Sequence, residues 1–203
     1  MNFNFADDPF ENLDRQIKYA TAQDVAEPTA MILATVNKDG LPSARAVLFK
    51  GIIEGGLSFF TNYDSPKAKD LFENPRASLL FYWAPLFQQI RIQGKVKKLS
   101  AEQSDHYFAT RARLSQLGAW ASPQSAKISD FNFLAKRVKE FDQKFQGMPV
   151  PRPENWGGFT LIPDYFEFWF GKDGRLHERY VYEHQNARRS IHTSEWARSF
   201  ISP

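Results

Sequence analysis

A succession of short apolar runs, each closed by a tight-turn signal, constrains this chain more than any other feature. Ala30 to Val36 reads as a buried strand, and Asn37-Lys38-Asp39-Gly40 follows it as a turn. Ala44 to Ile52 reads as a second strand, Glu54-Gly55-Gly56 as a second turn, and Leu57 to Asn62 as a third strand. Turns this short join antiparallel strands, because parallel strands need a crossover of roughly a dozen residues or more. Two more strands are expected at 76–83 and 88–98. A last pair, Phe159–Phe170 and Arg175–Glu183, flanks Lys172-Asp173-Gly174.

Helices interrupt this series. Asp8-Pro9 is an N-cap followed by Pro at the first helical position, and Phe10, Leu13, Ile17 and Ala20 recur at helical spacing, so a helix is expected over 9–24. Ser65-Pro66 opens a short helix that Pro75 stops. Ser100 and Gln103 form a capping box that starts a helix to about Thr110, and residues 129–146 read as amphipathic helix. The expected class is mainly β with peripheral helices: an antiparallel sheet closed into a barrel, in one domain.

Composition narrows the chemistry. A chain of 203 residues that is 42% hydrophobic is too apolar to be disordered and long enough for a substantial core. The longest apolar run, Leu79 to Phe87, contains Pro85 and falls far short of the about 20 residues a membrane helix needs. The start carries acids and no basic segment of the secretory kind, so a cytoplasmic protein is expected. With no cysteine, disulfides, thiol nucleophiles and sulfur-ligated metal sites are excluded. His106, His177, His184 and His192 show no zinc-like spacing, and no metal is expected. The 26 basic residues are dispersed among 23 acids, giving a net charge of +3, which suits an anionic ligand but not nucleic acid. The usual nucleotide, metalloprotease and serine-hydrolase motifs are absent, so catalysis would fall to a bound organic group or to unmarked side chains.

The C-terminal pair concentrates charge. On a regular strand Arg175, His177 and Arg179 share one face, opposite Leu176 and Glu178, with Trp169 on the partner strand. Such a surface is either a solvated basic edge or a site that an anion neutralises. Residues 167–179 contain Glu167, Phe168, Trp169, then Arg175, Leu176, His177, Glu178 and Arg179. At that spacing they resemble the C-terminal motif of the pyridoxine/pyridoxamine 5′-phosphate oxidases. The resemblance runs over roughly 9–183, through Glu27–Met31, Arg45–Lys50, Phe60–Asn62, Asn74–Leu80, Ser115–Trp120, Gln124-Ser125 and Trp156–Phe159. Phe170 departs from it, standing where the family usually has Gln, His or Gly.

The resemblance implies an FMN-binding split β-barrel working as a homodimer, with FMN at the subunit interface. It implies oxidation of pyridoxamine or pyridoxine 5′-phosphate by O2 to pyridoxal 5′-phosphate and hydrogen peroxide. It assigns Arg45 and Lys67 to the FMN phosphate and Thr61, Gln124 and Ser125 to polar contacts with the cofactor. It places Phe60, Lys50 and Gln89 beside FMN, with Trp169 and Arg179 completing that site. Lys50, Tyr107, Arg111 and Ser115 match the substrate-phosphate set, and Arg175 and His177 match the catalytic positions over the substrate ring. Two points are open on the residues alone. Arg45 and Lys50 are five apart, so a regular strand puts them on opposite faces unless it ends or bulges between them. Tyr107, Arg111 and Ser115 share a stripe only if the helix begun at Ser100 continues that far. Pro66 replaces a second basic residue usual before the lysine, and only about eight residues precede the first helix, where many members carry a longer covering segment. The other readings are a split-barrel flavin oxidase with another substrate and a flavin- or pyridoxal-phosphate-binding protein without turnover.

Overall fold

The computed structural model describes residues 3–184 and 196–203; His192 and most of the segment after Glu183 lie outside them. Helix α1 (Pro9–Ala22) begins where Asp8 caps the Phe10 N–H at 2.8 Å. It buries Leu13 and Ala20 against the sheet. Strands β1 (Ala30–Val36) and β2 (Pro42–Leu48) form the expected hairpin, followed by β3 (Ile52–Ile53) and β4 (Gly56–Asn62). Helix α2 (Pro66–Glu73) leads to β5 (Arg76–Trp83) and β6 (Gln88–Lys98). Three helices follow, α3 (Ala101–Ala109), α4 (Arg113–Ala121) and α5 (Phe131–Lys144), then β7 (Trp156–Phe170), β8 (Glu178–His184) and β9 (Trp196–Phe200).

All nine strands among the described residues belong to one antiparallel sheet in the order β2-β1-β5-β6-β7-β4-β3, with β8 on β7 and β9 on β8. Strand β7 is its spine. One edge of β7 pairs with β6 along its length. On the other edge, Trp156–Leu161 pair with β4 and Tyr165–Phe170 pair with β8. The sheet therefore splits at Ile162–Asp164, and the β6–β7 register shifts at Gln93/Gly94. Gly94 is required there, because a Cβ would lie 2.0 Å from the Ile162 carbonyl oxygen. The barrel closes where the Lys50 N–H donates to Ser58 O (2.9 Å) and the Ser58 N–H to Gly51 O (3.0 Å).

The interior is aromatic: Phe59, Phe81, Phe166, Phe168 and Tyr182 are fully buried with Leu33, Leu57 and Leu79. Each such side chain contributes roughly 1.5–3 kcal/mol by leaving water. A second apolar cluster, Phe108, Leu117, Phe145, Val150 and Trp156, anchors the helical layer over the N-terminal end of β7.

Three local expectations are corrected. The second strand spans 42–48 rather than 44–52: Phe49 turns to bond Thr29 O, and Gly51 adopts φ +98°, so Lys50 leaves the ladder. The helix begun at Ser100 stops at Ala109 and a new helix starts at Arg113, because Ala112 is extended (ψ 139°). Arg175 is not on a strand. It closes a single 3₁₀ turn, Asp173–Arg175, at φ 62°, and β8 begins only at Glu178.

Candidate active site

The exit of β2 reconciles Arg45 with Lys50. Arg45 stays on β2 opposite Leu33 and turns toward α2. Its Nη1 donates to Leu33 O (3.1 Å) and Thr35 Oγ1 (2.7 Å), and its Nη2 lies 3.8 Å from Asp70. The Thr35 hydroxyl in turn donates to Asp70 at 2.6 Å. Burial lowers the Arg45 pKa, with Asp70 opposing that. Lys50, outside the ladder, lines a cavity of about 450 Å³.

This cavity gathers most of the residues proposed for phosphate contact. Lys50, Phe60, Thr61, Lys67, Tyr107, Arg111, Ser115 and Gln124 line it, together with Trp156. The break between α3 and α4 does not scatter Tyr107, Arg111 and Ser115, because Arg111 sits in the bend and Ser115 in the next helix's first turn. Gln116 fixes that bend from its buried position by donating Nε2 to Phe108 O at 2.9 Å. One wall is a ring stack: Tyr107 lies 3.9 Å from Phe60, and Phe60 lies 5.5 Å from Trp156.

The electrostatics of the cavity ask for an anion. Among the described residues Nη1 of Arg111 is buried without a hydrogen-bond partner, and its guanidinium lies 4.6 Å over Trp156. Burial lowers its pKa, only partly opposed by Tyr107. Lys67 donates to Thr61 Oγ1 (3.1 Å) and Gln124 Oε1 (3.2 Å), both neutral groups. Burial and then the nearby Arg45 charge hold the Lys67 pKa below its ordinary value. A buried guanidinium N–H without an acceptor is costly, and a phosphate supplies charge-assisted acceptors. The donor set thus fits a phosphorylated ligand. Ser125 departs from this grouping: it adopts φ 65° and lines an adjoining cavity of about 970 Å³, which shares Gln124 with the first.

The hairpin residues lie elsewhere. None of Gln89, Trp169, Arg175, His177 and Arg179 lines the smaller cavity. Gln89, Trp169 and Arg179 form one row across β6, β7 and β8, each in direct register with the next. The His177 ring lies 4.7 Å from Trp169, and its Nδ1 accepts from the Lys172 N–H at 3.2 Å. Arg179 is held by Glu167 at 2.7 Å and donates to Ser202 O at 3.0 Å. Phe170, the departure from the motif, is buried against Phe3 and Tyr180 and belongs to the core.

Two contributors are not singled out by the sequence pattern. Trp156 lies in a matching stretch with no role attached, although a large ring before Gly157 at the start of a strand is a signal for a wall. Glu167 likewise stands only as part of a motif. The cross-strand pair Arg91↔Glu167 identifies its partner once the register is known.

A split β-barrel with this cationic, ring-walled cavity defines a class, the FMN-binding split-barrel oxidoreductases. Residues 17–145 match the pyridoxamine 5′-phosphate oxidase family model, and residues 156–203 match the pyridoxine 5′-phosphate oxidase C-terminal dimerisation region. The chain belongs to the pyridoxine/pyridoxamine 5′-phosphate oxidase family. The second match extends the likeness past residue 183 to Pro203. A pyridoxine/pyridoxamine 5′-phosphate oxidase of Bdellovibrio bacteriovorus is 51% identical over 181 residues, covering 89% of this chain and 92% of that protein. One from Burkholderia cenocepacia is 49% identical over 198 residues, covering 98% and 90%. Among solved structures, PhzG from Burkholderia lata, in complex with tetrahydrophenazine-1-carboxylic acid, superposes with a TM-score of 0.89 at 30% identity, covering 100% of this chain and 98% of PhzG. A pyridoxamine 5′-phosphate oxidase-related, FMN-binding protein of Nostoc punctiforme shares the fold, at a TM-score of 0.75, 18% identity and full coverage of both chains.

Proposed function

We propose that this protein is an FMN-dependent oxidase of pyridoxamine 5′-phosphate and pyridoxine 5′-phosphate. With the amine, O2 and water, it forms pyridoxal 5′-phosphate, ammonia and hydrogen peroxide; with the alcohol and O2, it forms pyridoxal 5′-phosphate and hydrogen peroxide. The observation that carries this reading is the convergence of Lys50, Tyr107, Arg111 and Ser115 on one cavity in which a buried arginine N–H has no partner among the described residues. Two cations and two hydroxyls suit a phosphate, with each charge-assisted bond contributing about 1.5–3 kcal/mol.

FMN, when bound, supplies the two-electron acceptor that oxidises the substrate carbon and passes the pair to O2. Lys67, Thr61 and Gln124, with Arg45 behind them, would hold its phosphate; Ser125, from the adjoining cavity, would support that end. Phe60, Lys50 and Gln89 would flank it, and Trp169 and Arg179 would complete the site. Arg175 and His177 act as the catalytic pair over the substrate ring: they orient it and present positive charge and a hydrogen-bonding nitrogen to it.

The site closes between two copies. Trp156, in the wall of the cavity, and Trp169, beside His177, stand at opposite ends of β7. At about 3.3 Å per residue they are roughly 40 Å apart along the strand. A homodimer in which one protomer's hairpin meets its partner's cavity brings the two sets together, in keeping with the dimerisation region matched at 156–203. No described helix is long and apolar enough to cross a membrane, and a cytoplasmic enzyme without nucleic-acid partners is part of this reading.

The likeness to PhzG over the full chain favours a second reading, oxidation of a polycyclic carboxylate. One assay separates the two. Purified protein should bind FMN, and in air it should release peroxide with pyridoxamine and pyridoxine 5′-phosphates but not with their unphosphorylated forms. Flavin uptake without turnover of either phosphate ester would support the carboxylate or a binding role. Failure to take up FMN would overturn the flavin reading altogether.

A further inference from the structure

Glu167 is 1% exposed, on the face of the sheet opposite the aromatic core, beneath the row that carries Gln89, Trp169 and Arg179. Its two carboxylate oxygens are divided between two arginines. Oε1 accepts from Arg179 Nε at 2.8 Å and lies 2.7 Å from Arg179 Nη2. Oε2 accepts from Arg91 Nε at 3.1 Å, from Arg91 Nη2, and from the Tyr165 hydroxyl at 3.0 Å. Burial raises the Glu167 pKa, and the bonds from Arg91 and Arg179 outweigh it, so the carboxyl stays ionised below its ordinary range.

Apolar residues can replace a buried ion cluster without loss of stability, so stability alone gives a sheet face little reason to hold one. The asymmetry of this cluster suggests another reason. Arg91 lies in Glu167's own cross-strand row, whereas Arg179 lies one row on, directly opposite Trp169. Arg179 is also tied through Nη1 to Ser202 O. Its Nε and Nη1 are thereby fixed by hydrogen bonds and its Nη2 by ionic contact with Glu167, on the strand position paired with Trp169.

We propose that Glu167 is a positioning residue: through Oε1 it locks the Arg179 guanidinium in the single orientation in which Arg179 and Trp169 receive the cofactor. This rests on the flavin reading above. Arg91 and Tyr165 bond the other carboxylate oxygen, Oε2, and leave Oε1 to Arg179.

The test is the FMN dissociation constant of the full-length, flavin-stripped protein, read from quenching of flavin fluorescence, beside its Tm. Glu167→Gln keeps the side-chain volume but offers one acceptor oxygen and adds a donor facing guanidinium groups. It should raise the FMN Kd at least tenfold. Arg91→Met removes the other arm and leaves the Glu167–Arg179 contact, so it should hold the Kd within about twofold of wild type, whatever its Tm. Arg179→Lys should match Glu167→Gln, and the double variant should be no worse than either single one. Glu167→Asp keeps the charge but withdraws the carboxylate by one methylene, so it should weaken FMN in the same direction and serves if the Gln variant does not fold. Wild-type FMN affinity in Glu167→Gln or Glu167→Asp would overturn the proposal, as would equal weakening by Arg91→Met. A wild-type protein that takes up no FMN would instead overturn the flavin reading.

Discussion

Arg111 states the chemistry of this protein most plainly at the level of a single residue. Its Nη1 is buried without a partner among the described residues, in the cavity it lines with Lys50, Tyr107 and Ser115. On the proposed function such a group is held for a ligand, at some expense in stability. Arg111→Met should therefore raise KM for pyridoxamine 5′-phosphate by roughly thirtyfold, about 2 kcal/mol for one charge-assisted contact. The same variant should keep its FMN and should not lower the Tm of the flavin-free protein. Steady-state peroxide formation, the flavin spectrum and a thermal melt check the three statements; a collapse of Tm would mean that Arg111 is structural. Residues of this kind are legible in the sequence because their spacing matches a family motif. Their surroundings are not. The link from Arg45 through Thr35 to Asp70 spans β2, β1 and α2, and no local pattern announces contacts between positions so far apart in the chain.

At the level of elements, turn chemistry carries most of the predictive power. Asn37–Gly40, Ser65-Pro66 and the Ser100/Gln103 capping box stand where their residues place them, since each depends on a few adjacent positions. The departures arise where regular periodicity gives way. No Pro or Gly marks the break at 110–112; it is sustained by Gln116 reaching back to Phe108 O, a side-chain contact that helical periodicity does not encode. Strand alternation fails at Arg175 because the Lys172-Asp173-Gly174 turn continues for one more residue as a 3₁₀ turn. Gln116→Ala removes that bond and leaves Phe108 O to backbone N–H groups such as that of Arg111 (3.2 Å), so it should lower stability by about 1 kcal/mol in urea unfolding. By loosening the bend that carries Arg111, it should also raise KM for the phosphorylated substrate more than it lowers kcat. Unchanged stability and KM would show that the bend holds without Gln116.

At the scale of the whole molecule, the fold separates what the proposed chemistry must unite. One chain builds the cationic cavity at the Trp156 end of β7 and the Trp169–His177–Arg179 group at the other end. The split of the sheet at Ile162–Asp164, where β7 exchanges β4 for β8 along one edge, creates that separation. Hairpin order anticipates the barrel but not the path of β7 through both halves, because one of its edges recruits β4 from well before it in the chain and β8 from after it. The central claim, a site shared between copies, is tested most directly by subunit complementation. Arg111→Ala damages the cavity and His177→Ala damages the hairpin, so each protein alone should form little peroxide from pyridoxamine 5′-phosphate. After unfolding and refolding the two together, half of the twofold-symmetric dimers should be mixed, each with one site free of both substitutions. The mixture should recover about one quarter of the wild-type rate per protomer. A mixture no more active than the separate variants, with mixed dimers shown to be present, would contradict the account.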